Sequence, residues 1–365
     1  MLSTSSDSHY QLKIASFNLF NFIAPPDAFY EFDNIYTQEQ WQKKLNWIAK
    51  YLNEHQPDVI AFQEVFSPDE LETLTKACGL DYFSVLDSPQ VMDDFIYSKP
   101  VVALASRYPI KEAVSVSADK EWAAQMGLVS EFEFSRKPLR ATVDLPKLGL
   151  CDCYVVHFKS KRALFDAQDI KANSATSSFR KSPAGTELNT GQLLAMEALG
   201  RWGSSVQRGS EAALLRYAMV ERRSQTQNPM ILMGDFNDIL SDGVLAALTS
   251  VDTRIKPQAD MSQGAMGDIA HQLGFYRLQD SYDLYQASQY SLSEQARPAT
   301  HYYFAKGSVL DYILLSSEFD AKNDLSLAEV GRYETYDRHL INPSFEHDSQ
   351  STDHAPVMIT LAIRN

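Results

Sequence analysis

Cysteine is scarce in this 365-residue chain: Cys78, Cys151 and Cys153 are the three present, without the CxxC spacing of a zinc or redox pair. A disulfide framework is thereby excluded, and a reducing compartment fits the usage. Cys151 and Cys153 flank Asp152 on the way into an apolar YVV run, which marks them as small strand residues. Positive charge is also short. Lys plus Arg number 33 against 47 Asp plus Glu, for a formal charge of −14 at pH 7. Such a surface repels polyanions, so any phosphate-bearing substrate needs a local basic patch or a metal. The apolar runs are strand-sized, too short for a membrane-spanning helix. The opening MLSTSSDSHYQLKIASF lacks the basic-then-apolar order of a secretory signal, so a cytoplasmic location is expected. No internal repeat and no long Pro/Gly/Ser linker divides the chain, and nothing points to a protein partner.

What is present is a globular composition, 44% hydrophobic and 22% charged, which excludes disorder as the main state. Apolar runs at 12–20, 57–66, 101–110, 154–158, 230–236, 310–316 and 355–363 have the length and β-branched or aromatic content of buried strands. Thr37 and Gln40 form a capping box ahead of Trp41, Leu45, Ile48, Ala49 and Leu52, which predicts an amphipathic helix. Two further helices are predicted, one around GQLLAMEALGRW and one around EAALLRYAMVERR. The expected organisation is a flexible N-terminus over 1–11 and one α/β domain over 12–365, with an insertion at about 159–207. Within 159–181 the bases are Lys159, Lys161, Arg162, Lys171, Arg180 and Lys181, and the acids Asp166 and Asp169, a local charge of +4. That segment reads either as a solvated surface loop or as a cradle for an anionic substrate.

Polar residues collect at the ends of the strand-like runs. Glu64 follows VIAFQ, where its carboxylate suits a hard cation such as Mg²⁺ or Mn²⁺. Asp235 and Asn237 in MGDFND, two apart on an extended chain, would share a face. The acid suits water activation and the amide suits donation to developing negative charge; an Asx-turn is the bland alternative. His157 and Lys159 in VVHFKS have the same spacing, with an imidazole for a leaving oxygen and a point charge for phosphate. Asp311 in SVLDYILLS would fix the tautomer of His354 in STDHAPV if their strands are neighbours, and Asp353 would join a metal shell.

In this order FNLF with Asn18, FQEV with Glu64, VVHFKS, GDFND, LDYILLS and TDHAPV resemble the endonuclease/exonuclease/phosphatase superfamily, the fold of pancreatic deoxyribonuclease, over residues 13–363. The resemblance implies a four-layer sandwich of two mainly antiparallel β-sheets flanked by helices, with a metal-dependent phosphoesterase site at one sheet edge. It implies Glu64 as ligand of Mg²⁺ or Mn²⁺, Asn18 nearby holding Glu64 or the phosphate, and Asp353 in the metal shell. Asp235 would orient or activate water, and Asn237 would stabilise the transition state. His354, oriented by Asp311, would be general base or phosphate holder, and His157 would serve the leaving side. Arg107 and Arg140 resemble recurrent family segments and are candidate substrate-binding bases, or surface ion-pair partners.

Two departures narrow the resemblance. Abasic-site nucleases of the superfamily carry Asp where this chain has Phe20, and Tyr where it has His157. The HFKSKR run is similar to bacterial nuclease-type members. A nucleic-acid phosphodiesterase is the leading expectation, with a phosphatase or phosphodiesterase for a small or lipid-linked phosphate as the alternative. No basic amphipathic helix supports a lipid surface.

Overall fold

The computed structural model describes residues 10–129, 131–165, 189–241, 243–251, 272–288 and 296–364. Two six-stranded sheets dominate. One runs Ala328–Thr335, Val357–Ile363, Gln11–Phe22, Val59–Val65, Val101–Ser106, Tyr82–Ser84. The other runs Leu278–Asp280, Asp311–Ser316, Met230–Asp235, Gly149–His157, Leu139–Leu145, Ile110–Ser115. Each is antiparallel except for one central parallel pair: strand 11–22 with strand 59–65, and strand 149–157 with strand 230–235.

Strand periodicity sorts the apolar residues into layers. Leu12, Ile14, Val59 and Ala61 pack between the sheets against Cys151, Cys153, Val155, Ile231, Met233 and Ile313. The two cysteines are thus free thiols filling the inter-sheet core. On the outer face of the first sheet, Ala15, Phe17 and Phe62 meet Trp47, Ile48 and Tyr51 of helix Gln38–His55. Removing a ring such as Phe17 costs about 3–5 kcal/mol. The Thr37–Gln40 capping box closes with bonds of 3.2 and 2.8 Å. On the outer face of the second sheet, Tyr154, Val156 and Leu232 meet Ala212, Leu215 and Met219. Helix, sheet, sheet and helix form the four-layer sandwich expected.

The two helices predicted around GQLLAMEALGRW and EAALLRYAMVERR are one, Thr190–Thr226, of 37 residues. Gly200, Gly203 and Gly209 suggest a break, yet these glycines are contact points. A Cβ at Gly200 would lie 2.5 Å from the Phe165 carbonyl oxygen, so the chain at 163–165 crosses directly over the helix. Strands 139–145 and 328–335 lie outside the apolar runs, because polar residues interrupt both; strand 328–335 is also an edge strand with a register shift beside Gly331. Most of the basic 159–181 segment, including Lys171, Arg180 and Lys181, lies outside the described residues. No helix among the described residues is long and apolar enough to cross a membrane.

Candidate active site

The parallel pairs decide where the polar residues meet. Parallel neighbours end together, so strands 11–22 and 59–65 deliver Asn18 and Glu64 to the same edge as strands 149–157 and 230–235 deliver His157 and Asp235. The antiparallel neighbours start there: Asp311 opposes Asp235, and His354 precedes strand 357–363. Asn18, His157, Asp235 and Asp311 continue the inward-facing alternation of the inter-sheet core, so their side chains converge where the apolar filling stops.

Two backbone features complete the convergence. Glu64 falls on an outward position by alternation, but its φ of +60° and a register shift on both neighbouring strands turn its carboxylate back. Its Oε2 accepts from Asn21 N at 2.9 Å and its Oε1 from Asn18 Nδ2 at 3.4 Å. Gly234, at φ +149°, has no alternative, because a Cβ there would overlap the Val156 carbonyl of the adjoining strand.

Asn18 Nδ2 also donates to Asp235 Oδ2 at 3.1 Å, and Asn18 Oδ1 accepts from Phe20 N at 3.0 Å. The amide therefore offers its NH₂ to both carboxylates, and Asn18 lies where it can hold Glu64. His354 Nδ1 lies 2.8 Å from Asp311 Oδ2, while its Nε2 is 3.9 Å from Asp235 Oδ2. Thr300 Oγ1 accepts from Asp311 N at 3.1 Å and fixes that strand end. His157 Nε2 lies 3.5 Å from Asp235 Oδ2, and its Nδ1 is buried without a partner. Asn237 does not share a face with Asp235 as an extended chain would give. At φ +55° it closes an Asx-turn, its N donating to Asp235 Oδ1 at 2.8 Å, and its Nδ2 reaches Phe158 O and Asp235 Oδ2, both at 3.1 Å.

The burial of so many ionisable groups sets their protonation. Asp235 is pushed up to about 7, first by burial and then by Asp311 and Glu64, against the opposing pull of His354. His354 goes well above the ordinary histidine value: burial pulls it down, but Asp311 and Asp235 outweigh that. His157 goes well below, through burial and the positive charges of Arg136, His354 and Lys159, so it stays neutral. Glu64 is raised by burial and by Asp353.

The strand stops at His157, and Lys159 lies beyond it, its N donating to Glu211 Oε2 at 2.8 Å and its Nζ to Arg162 O at 3.1 Å. Burial and Arg136 bring its ammonium down to about 8. Arg107 and Arg140 do not reach the site. Arg107 donates to Pro57 O at 3.2 Å and pairs with Asp58 at the opposite end of strand 59–65. Arg140 pairs with Glu112 at 3.0 Å and faces Asp152 at 3.8 Å. Both have carboxylate neighbours that hold them elsewhere.

Three residues escaped the sequence reading. Arg136, in a loop without periodicity, donates to Phe158 O at 3.5 Å, and its charge acts on Glu64, His157 and Lys159. Lys44 is 1% exposed, with Glu64 and Asp353 as its charged neighbours; burial brings it down to about 8. Its signal was visible, a lysine three residues after Trp41 on the apolar stripe of its helix. His301 stacks obliquely on His354, ring centroids 4.9 Å apart.

The donor set fits a divalent cation. Glu64 and Asp353 are mutually destabilising carboxylates, and Asp353 Oδ1 is buried without a hydrogen-bond partner, as a ligand oxygen would be.

The model of the Endonuclease/Exonuclease/phosphatase family matches residues 15–354. No curated protein matches the sequence. Among solved structures, the human Nocturnin catalytic domain with bound sulfate is 14% identical, with a TM-score of 0.51 over 97% of this chain and 95% of that one. TDP2 of D. rerio, complexed with single-strand DNA product, is 14% identical, with a TM-score of 0.50 over 96% and 98%. An endonuclease/exonuclease/phosphatase from Beutenbergia cavernae is 15% identical, with a TM-score of 0.49 over 97% and 72%. These likenesses are of fold.

Proposed function

Because the chain belongs to the Endonuclease/Exonuclease/phosphatase family, which includes metal-dependent phosphoesterases, we propose that it is a divalent-metal-dependent phosphodiesterase that cleaves nucleic acid with an activated water. The observation that carries this reading is the cluster at the sandwich edge: Asp235, raised to about 7, between Asn18, His157 and an Asp311-supported His354.

Asp235, with its raised affinity for a proton, takes one from the attacking water near neutral pH. His354, held cationic by Asp311, donates from Nε2 to a phosphate oxygen and fixes the scissile group. Asn237, whose backbone N and Nδ2 both donate to Asp235, holds that carboxylate in place for the water. His157, neutral and with an unpartnered Nδ1, serves the leaving oxygen. Glu64 and Asp353 would hold Mg²⁺ or Mn²⁺, which when bound neutralises the nonbridging oxygens. Asn18 keeps Glu64 and Asp235 in register for these tasks.

Nucleic acid rather than a small ester is supported by what surrounds the cluster. Arg136, Lys159 and Arg162 give one side a positive local field inside an acidic protein. On the other side, the hairpin beginning at His301 carries Tyr303 and Phe304, 72% and 88% exposed, rings suited to stacking on bases. The test is incubation of wild type and Asp235→Ala with supercoiled plasmid, single-stranded RNA, bis-p-nitrophenyl phosphate and p-nitrophenyl phosphate, in Mg²⁺, Mn²⁺ or EDTA. Metal-dependent cleavage of a polymer, lost in the variant, is expected. Cleavage of the small esters alone overturns the nucleic-acid reading in favour of a small or lipid-linked phosphate.

A further inference from the structure

His301 takes no part in the chemistry above, yet the fold brings it beside His354. Thr300 O accepts from Ala355 N at 2.7 Å, and His301 and His354 form an isolated antiparallel bridge. The segment before strand 311–316 is thereby laced to the segment before strand 357–363. One donor atom each from His301, Asp353 and His354 lies within 4.8 Å of the other two. Two imidazoles and a carboxylate at this separation need small side-chain adjustments to surround an ion about 2 Å from each donor.

Three observations give this trio the character of a cation site. Asp353 Oδ1 is buried and has no hydrogen-bond partner. His354 has Nδ1 committed to Asp311 at 2.8 Å, which leaves Nε2 as its open donor. A carboxylate behind the far nitrogen is the support that metal-bound histidines commonly have. The His301 ring lies against that of His354, centroids 4.9 Å apart, which sets a second imidazole beside the other two donors.

The donor types differ from those at Glu64. Oxygen donors suit Mg²⁺ and Mn²⁺, whereas two imidazoles with one carboxylate suit Zn²⁺ and Co²⁺. We propose that His301, Asp353 and His354 form a transition-metal site that shares Asp353 with the Glu64 side, and that an ion there inhibits the enzyme by capturing His354 Nε2. The inference rests on the assigned role of His354 in holding the scissile phosphate. Zn²⁺ at this nitrogen displaces its proton to solvent and leaves nothing to donate to the phosphate. Asp353 is drawn toward the same ion and away from the Glu64 side. Micromolar Zn²⁺ thus becomes an antagonist of the Mg²⁺-loaded enzyme, and His301 the residue that makes it one without itself being needed for turnover.

The experiment pairs binding with activity in wild type, His301→Ala and His301→Asn, each checked for its unfolding transition. Binding is read by titration calorimetry with ZnCl₂ and by the visible absorption of added CoCl₂. Activity is read as hydrolysis of bis-p-nitrophenyl phosphate in saturating Mg²⁺ with increasing ZnCl₂. The expected result is a Zn²⁺ affinity at least tenfold weaker in both variants, a matching tenfold rise in the inhibitory concentration, and zinc-free turnover within twofold of wild type. Unchanged zinc binding in the variants overturns the site, and weakened binding with unchanged inhibition overturns the inhibitory role. Wild type inactive in Mg²⁺ alone would refute the phosphodiesterase reading instead, and the calorimetric and absorption titrations would still decide the site.

Discussion

The side-chain amide of Asn18 donates to Asp235 Oδ2 at 3.1 Å and so joins one sheet to the other at the edge where the apolar core between them ends. The same NH₂ faces Glu64 at 3.4 Å, so a single neutral donor spaces two buried acids. Asn18→Ala removes that donor and is expected to lower kcat about 10²-fold. Asn18→Asp adds a third acid and is expected to lower it further. Steady-state kinetics beside Mg²⁺ titration decides: an unchanged kcat in Asn18→Ala would make the bond merely structural.

Asp235 and His354 are buried, charged and within 3.9 Å of each other, an arrangement more useful to reaction than to stability. Asp235→Asn removes the proposed base and is expected to reduce turnover by 10²–10⁴-fold, with a melting temperature equal to or above that of wild type. His354→Ala is expected to lose turnover on the same scale and to leave Asp311 with a buried, unpaired carboxylate, hence a modest loss of stability. A large fall in melting temperature for both, with turnover preserved, would reverse the assignment.

The layering and most of the site were legible because strand period two does double work. The alternation that makes Ile14, Val155, Met233 and Ile313 core residues also aims Asn18, His157, Asp235 and Asp311 inward at the edge. Glu64 was legible as a residue type but not as a direction, since its inward turn depends on a left-handed backbone. Arg107 and Arg140 take the ion-pair alternative, with Asp58 and Glu112 as neighbours that nothing local in the sequence reveals. Arg136 and His301 were invisible for the converse reason: each is distant in sequence from the groups it acts on. The single long helix was hidden by glycines whose partners, at 163–165, come from another segment.

That long helix also holds the basic wall in place. Glu211, 1% exposed, accepts from Lys159 N at 2.8 Å and Ser135 N at 2.6 Å, binding the two loops that carry Lys159 and Arg136. Arg208 grips Asp238 at 2.6 Å and the Lys159 carbonyl at 3.0 Å. Lys159→Ala and Arg136→Ala are each expected to raise KM for a polynucleotide several-fold to tenfold and to flatten its salt dependence, with smaller effects on a small diester. Equal KM values on both substrates would remove the wall from substrate binding.

His339 links stability to pH at a distance from the reacting groups. Its ring packs on Trp47 at 4.8 Å and stacks on Tyr336 at 5.8 Å, and its Nε2 lies 3.2 Å from the His354 carbonyl. Burial takes it down to about 4, with the bond to His354 O and the nearby Asp348 opposing the fall. An unfolded histidine titrates near 6.5, so between pH 6.5 and 4 the unfolded chain binds the extra proton and stability falls as pH falls. At pH 5 the loss from this one group is about 2 kcal/mol relative to pH 7. His339→Gln keeps an N–H for the His354 carbonyl and has no proton to gain. Urea unfolding of both proteins at pH 7 and pH 5 should therefore show the variant gaining about 2 kcal/mol on wild type as the pH drops, since acid effects elsewhere are common to the two. A constant difference across that interval would mean that His339 takes up its proton in the fold as readily as in the unfolded chain.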